Sequence, residues 1–248
     1  FDGGASSEAV EGLLESFRTG IGRTYESAGA EGALRGEVRH WRATRTQVIP
    51  NMIPALDGVH AKLEQGCLVI DVGCGDGAVP LGLAETYPNS TFHAFDPNRH
   101  AVSHVTQVAK DMKLTNITAT VASGENLPRD QKYDLIITFD CIHDMTHPQE
   151  VMSVIRQLIK DDGTWFIKDI RSKPDFEDNL RNPMLAMMYG FSLMSCMSSA
   201  MSEEGGAGLG TLGFNPEVAE SMCKKAGFTR FQMHDFKDPG NLYYEVPT

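Results

Sequence analysis

Long apolar runs are missing from this 248-residue chain. None approaches the ~20 residues that a bilayer-spanning helix needs, and no charged, apolar, small-residue leader opens the chain, so a membrane protein is not expected. Basic charge is scarce too. Against 33 Asp and Glu stand 22 Lys and Arg, a formal net charge of −11, which is the opposite of the footprint that nucleic-acid binding leaves. The local exception, Arg35, Arg39, His40, Arg42 and Arg45, falls in a helix-like stretch and reads as a solvated face. Cysteine is limited to five residues, an odd number with no paired CxxC spacing. That argues against a disulfide framework or a zinc site and for a reducing compartment, hence a cytoplasmic protein. Repeats and low-complexity tracts are absent. The first residue is Phe1 rather than Met, which fits a fragment or processed chain and leaves the presence of a preceding domain an open expectation.

What is present divides by texture. Residues 1–65 carry helical apolar spacing broken by Gly and Pro, with no convincing strand, and read as a helical lead-in that acts as a lid. From residue 66 to 248 short apolar runs alternate with amphipathic stretches: "CLVIDV", "AVPLGLAETY", "TFHAFD", "RHAVSHVTQVAKDMKL", "ITATVA", "YDLIITFD", "QEVMSVIRQLIK", "GTWFIKDI". Strand, helix, strand is the rhythm of an α/β, Rossmann-like, mostly parallel sheet with helices on both faces. A methionine-rich helical insertion, about 174–212, interrupts it after the fifth strand and ends in "GGAGLG", read as the hinge of a cover. "NPEVAESMCKKAGF" is a helix with its cap at Asn215 and its stop at Gly227. "TRFQMHDF" and "NLYYEVP" close the chain as two strands.

Chemistry concentrates at "DVGCGDG", where an apolar strand ends on Asp71 and three glycines follow at alternate positions. Gly73, Gly75 and Gly77 let the backbone turn tightly and let a ligand approach main-chain amides. A second strand, "FHAFDPN", ends on Asp96, where an acid can accept hydrogen bonds from both ribose hydroxyls; the alternative is a helix N-cap. A triphosphate site would want Lys and Ser or Thr after the glycines, and "GDGAVP" has neither. Acids at Asp71 and Asp76 are awkward beside a pyrophosphate and suit a cationic cofactor such as S-adenosylmethionine.

With these motifs in place, residues 67–248 resemble the class I S-adenosylmethionine-dependent methyltransferases. "VIDVGCGDG", "FHAFDPN", "VASGENLP", "YDLIITFDCIHDM" and "LIKDDGTWFIKDI" are similar, in order, to that family's motifs. "FDCIHDMTHP", "GGAGLGT" and "NLYYEV" are similar more narrowly to a subgroup sometimes labelled transcription-regulator-like, whose N-terminal winged-helix segment is not visible here. The resemblance implies a seven-stranded sheet with an antiparallel last strand and the cofactor over the carboxyl ends of the first four strands. Carried over by position, Asp71, Gly73 and Gly75 would hold the methionine part, Asp96 the ribose and the 122–125 loop the adenine, with Cys74, Pro97, Ser123, Gly124, Glu125, Asp140 and Cys141 among the residues expected to bind the cofactor. Ser123 departs from the Asp of many relatives, so adenine recognition is expected to be weaker or water-assisted.

Catalysis is expected at "FDCIHDMTHP". His143 is the candidate base, with Asp144 or Asp140 orienting its ring; a cap or a packing role is the plainer reading of each. A metal built from His143, His147 and the aspartates has no specific spacing, and none is assigned. Tyr25, Trp41, His143, Arg171, Tyr189 and Cys196 are candidates to contact the acceptor, Met197 beside them, and Arg18 is a further candidate for an acceptor carboxylate. The expected function is methyl transfer from S-adenosylmethionine to a small organic acceptor through O, N or S, releasing S-adenosylhomocysteine. A non-catalytic cofactor-binding regulatory module and an NAD-dependent oxidoreductase are the alternatives. Neither nucleic acid nor membrane is an expected partner, and a homodimer is left open.

Overall fold

β-Branched and aromatic runs bounded by Gly, Pro and Asn form strands where the alternation predicts them. In the computed structural model, which describes residues 7–34 and 36–248, Arg35 of the basic stretch lies outside the described residues. The strands are β1 (Leu68–Val72), β2 (Thr91–Asp96), β3 (Ile117–Val121), β4 (Tyr133–Phe139), β5 (Ile159–Ile170), β6 (Gln232–His234) and β7 (Asn241–Pro247). They make one seven-stranded sheet in the order β3-β2-β1-β4-β5-β7-β6. β1 to β5 run parallel, and β7 is antiparallel to both β5 and β6. Chain order reverses between β1 and β4, so the crevice beyond their carboxyl ends is the switch point where ligands of such sheets bind. The closing strand expected over residues 229–236 shrinks to β6, an exposed edge strand flanked by rings that pack inward, Phe231 on Tyr244 and Phe236 on Tyr243.

Successive strand residues face opposite sides, so Trp165 and Ile167 join one core layer and Phe166 the other. The first layer packs against α7 (Pro148–Leu158) and α11 (Pro216–Ala226). Asn215 caps α11 by accepting from the Glu217 and Val218 amides, and Gly227 ends it at φ 97°. The second layer packs against α5 (Ala78–Thr86) and, unexpectedly, against Val48, Met52, Ile53, Leu56, Val59 and Leu63. The lead-in is therefore not all lid: its second half is core. It comprises α1 (Ser7–Thr19), α2 (Gly29–Ala33), α3 (Glu37–Ala43), a wide π-helical turn over Thr44–Met52 and α4 (Val59–Gln65). Pro50, which has no N–H to donate, sits inside that wide turn. No helix among the described residues is long and apolar enough to cross a membrane.

The first half of the lead-in does reach over the strand ends. Gly22 N donates to Met201 O (2.7 Å) and Arg23 N to Ser198 Oγ (2.8 Å), tying it to the end of α10 (Met197–Ala200), the last of the insertion's helices after α8 (Phe176–Asn179) and α9 (Leu185–Phe191). In the glycine segment that follows, Ala207 N donates to Thr146 O (2.9 Å).

Candidate active site

After β1 the chain turns under β2, with the Gly73 and Cys74 amides donating to Phe95 O at 2.8 and 3.0 Å. Asp96 completes the junction. Its Oδ2 accepts from Gly75 N (2.9 Å) and its Oδ1 from Asn98 N (2.8 Å), while Asn98, not Asp96, caps the helix α6 (Arg99–Asp111) by accepting from His100 N. A carboxylate has about four acceptor positions, so two stay available for hydroxyls. Gly75 has φ 53°, and a Cβ built there would meet nothing within 4 Å, so its missing side chain leaves open space in the crevice. Gly77 (φ 77°) serves packing instead, because a Cβ would come 2.4 Å from Val105 Cγ2 of α6.

Asp71 is buried at the end of β1, and no donor among the described residues bonds its carboxylate. Burial, with Asp96 and Asp76 nearby, pushes it up to about 8. Such a group is short of a cation. Asp76 differs from the expectation: its Oδ2 is bonded to His40 Nδ1 (2.6 Å) and its Oδ1 to Ala78 N (3.1 Å), so it anchors α3 and the start of α5.

The loop after β3 lies beside Asp96, since Ala122 N donates to Asp96 O (3.2 Å). Ser123 Oγ there accepts from Asn126 Nδ2 (3.0 Å), Gly124 packs against Val151, Glu125 O accepts from Arg129 (3.2 Å), and Pro97, next to Asp96, is exposed. Cys74 and Cys141 are buried, and burial holds both thiols well above the usual value. Cys141 donates to Val72 O (3.2 Å), locking the end of β4 to β1.

Directly after β4 comes Asp140, which is left-handed at φ 53°. It is not the residue that orients His143. Its carboxylate takes Lys168 Nζ and Asn241 Nδ2 (2.5 Å), linking β4 to β5 and β7. The orienting acid is Asp169 of β5, missed from the sequence. His143 Nδ1 lies 2.6 Å from Asp169 Oδ1, which also accepts from Ile170 N (2.7 Å). Both residues are buried, at 2 % and 0 % exposure. Because a carboxylate accepts, Nδ1 carries the proton of this bond, and Nε2 is the ring atom left for Cys196. Burial works to lower the His143 pKa, but Asp169, Cys196 and Asp144 outweigh it and hold it well above the ordinary value. Asp144 is pushed up to about 7 by burial, against the lowering influence of His143 and the Tyr25 hydroxyl.

Over this pair comes Cys196, at the end of the wide turn Ser192–Cys196 between α9 and α10. One ligating atom from each of His143, Asp144 and Cys196 lies within 4.8 Å of the others. Burial alone would raise the Cys196 thiol, yet the neighbouring imidazole brings it below the usual value. Tyr25 is 37 % exposed, but its hydroxyl turns inward to Cys196 Sγ (3.9 Å) and Asp144.

Three of the expected acceptor contacts, Tyr25, His143 and Cys196, thus meet. Three do not. Trp41 packs with α5 and under Arg45 (5.0 Å), because α3 docks on α5 rather than on the strand ends. Arg171 Nε donates to Asp238 O (3.0 Å) in the turn before β7, and Tyr189 sits on the exposed face of α9 near Phe176. Arg18 pairs on the surface with Glu15 (3.4 Å), His147 with Glu203 (3.4 Å), and Met197 packs under Gly208 and Gly210. One sequence signal for Asp169 existed: an acid on the core-facing register of β5, two residues beyond Ile167.

A reversed sheet order with a glycine turn and two acids at its switch point defines the class I methyltransferase architecture. A family model described as a methyltransferase domain matches residues 63–208, more than half of the chain, and the chain belongs to that family. A curated relative, the (S)-tetrahydroprotoberberine N-methyltransferase of Eschscholzia californica, is 27% identical over 113 residues, which is 46% of this chain and 32% of that protein. The match thus spans about a third of that relative. An O-methyltransferase family protein from Burkholderia thailandensis shares the fold at TM-score 0.67 and 15% identity, covering 97% of this chain and 68% of the other. Human N-acetylserotonin methyltransferase, solved with SAM, does so at 0.60 and 18%, covering 97% and 67%.

Proposed function

We propose that this protein transfers the methyl group of S-adenosylmethionine to a nucleophilic atom of a small organic acceptor. The observation that carries the reading is the buried His143–Asp169 pair standing beside an acid-lined crevice, under a roof made by Tyr25 and Cys196. The residues fit the cofactor: Gly75 leaves space, Asp71 lacks a cationic partner, and Asp96 keeps acceptor positions for ribose hydroxyls. Asp71, Gly73, Cys74 and Gly75 would face its methionine part, Asp96 and Pro97 its ribose, and the Ser123–Glu125 loop its adenine. When bound it supplies an electrophilic methyl on a sulfonium, which needs little from the protein beyond alignment and exclusion of water.

The chain's own residues supply the rest. Asp169 accepts from Nδ1–H and fixes the imidazole, and an acceptor bound there gives its proton to Nε2 in the form of the ring that carries only the Nδ1 proton. Tyr25 and Asp144 orient the acceptor, and the lead-in and insertion close over it. Residues 66–248 with the 174–212 insertion would form the catalytic unit. The acidic surface speaks against nucleic acid, and the unpaired cysteines fit a cytoplasmic setting; a homodimer is compatible with this reading.

Calorimetric titration with S-adenosylhomocysteine, and separately with NAD, tests the cofactor. Binding of the first alone is expected and opens an acceptor screen with labelled methyl donor; binding of NAD alone would replace methyl transfer with hydride transfer. His143→Ala should keep S-adenosylhomocysteine affinity and lose turnover by about 10²-fold or more. Cofactor binding without turnover on any acceptor class would make the chain a regulatory module.

A further inference from the structure

The chain offers His143, Asp144 and Cys196 from two distant segments, the turn after β4 and the wide turn before α10. Their ligating atoms all lie within 4.8 Å of one another. Ligand atoms around tetrahedral zinc stand about 3.5 Å apart, given bonds of roughly 2.0–2.3 Å, so about an ångström of side-chain adjustment closes the set. An imidazole nitrogen, a carboxylate oxygen and a thiolate sulfur are the donors that zinc and cobalt(II) take.

A second, independent feature supports a ligand. Metal-bound histidines characteristically donate their other ring N–H to a carboxylate, which fixes the tautomer and aims the free nitrogen. His143 already does so, with Nδ1 2.6 Å from the Asp169 carboxylate. His143 and Asp144 are buried, and Cys196 is half-buried. Asp169 Oδ2 is buried with no partner among the described residues, and Oδ1 serves the imidazole and the Ile170 amide.

We propose that His143 Nε2, an Asp144 carboxylate oxygen and Cys196 Sγ bind one zinc-class divalent ion, with Asp169 as outer support and the fourth position open to the pocket. Binding displaces to solvent the proton that Cys196 Sγ and His143 Nε2 hold between them, and leaves metal, imidazole and thiolate joined without redox change. The inference goes beyond methyl transfer and opposes it. Nε2 cannot hold a metal and take an acceptor's proton at once, so the ion excludes the proposed proton acceptor and inhibits transfer to acceptors that must lose a proton.

Chelator-treated protein titrated with cobalt(II) alone provides the test. The expected result is a sulfur-to-cobalt charge-transfer band saturating at one equivalent, with intense visible bands of a four-coordinate site, both displaced by zinc. Cys196→Ser should lose the charge-transfer band, and Cys67→Ser, at a distant half-buried thiol, should keep it. Asp169→Asn should weaken cobalt affinity about 10–100-fold, the usual effect of outer-shell partners. Absence of the band at saturating cobalt, its survival in Cys196→Ser, or unchanged affinity in Asp169→Asn overturns the site. S-adenosylhomocysteine titration of the same preparations confirms folding and reports on the methyltransferase reading separately, since the residues proposed for that ligand, from Asp71 to Asp96 and from Ser123 to Glu125, include none of the three metal ligands.

Discussion

Replacing Asp96 with Ala removes one carboxylate that has two jobs, and the two are separable. Within the protein it accepts the Gly75 and Asn98 amides at 2.9 and 2.8 Å; toward the cofactor it has acceptor positions for two ribose hydroxyls. Hydrogen bonds to a charged acceptor contribute about 1.5–3 kcal/mol each. Losing both to the ribose therefore costs about 3–6 kcal/mol, or roughly 10²–10⁴ in affinity for S-adenosylhomocysteine. The orphaned amides add a ligand-independent loss of about 1–3 kcal/mol each where they stay dry. Calorimetry reads the first effect and the melting temperature of the free protein reads the second. Thermal shift joins them: ligand at a hundred times the native Kd stabilises native protein by about 2.7 kcal/mol, but by only about 0.4 kcal/mol once Kd has risen a hundredfold. An Asp96→Ala protein that binds within about threefold of native would refute the ribose assignment, whatever its melting temperature.

The remaining expectations concern the same crevice and the pair beside it. Asp71, held at about 8 in the folded protein, is protonated there between pH 4 and 8 while the unfolded chain is ionised, so the native state binds the extra proton and this group's contribution to stability falls as pH rises through that window. A ligand ammonium reverses the shift, so S-adenosylhomocysteine should bind more tightly at pH 8 than at pH 6 and release a proton, measured by calorimetry in two buffers; Asp71→Asn should abolish the release. Gly77→Ala, with its Cβ 2.4 Å from Val105 and a left-handed φ, should cost about 2–4 kcal/mol and lower the melting temperature by roughly 5–15 °C. Gly75→Ala, facing open space, should cost about 1–2 kcal/mol in stability yet weaken ligand binding. Asp169→Asn should lower kcat about 10²-fold with KM for the donor unchanged, because it loosens the imidazole without touching the crevice; equal loss in donor affinity would place Asp169 in the cofactor site instead.

Strand edges, helix caps and the glycine turn are legible in the amino-acid order alone. "TFHAFD" and "NLYYEVP" form β2 and β7 with the same bounds, and Asn215 and Gly227 bound α11 as their side-chain chemistry requires. Those features are local: a period of two or a side-chain cap is set by a few neighbouring residues. Misreadings arise where partners are far apart in sequence. Asp76 reads as a cofactor acid but meets His40, Asp140 reads as the ring's partner but meets Lys168 and Asn241, and Trp41 and Arg171 find α5 and the β6–β7 turn.

By itself, then, the amino-acid sequence determined the alternation of strands and helices, the acid–glycine turn at the end of β1, the acid at the end of β2 and hence the class of cofactor. Tertiary structure alone decided which strand ends are neighbours. Placing β5 beside β4 sets Asp169 against His143, and folding the insertion back over the sheet adds Cys196 and Tyr25. Periodicity records which face of an element is buried, but not what lies across from it. The pair at the heart of the site was therefore written only in the packing.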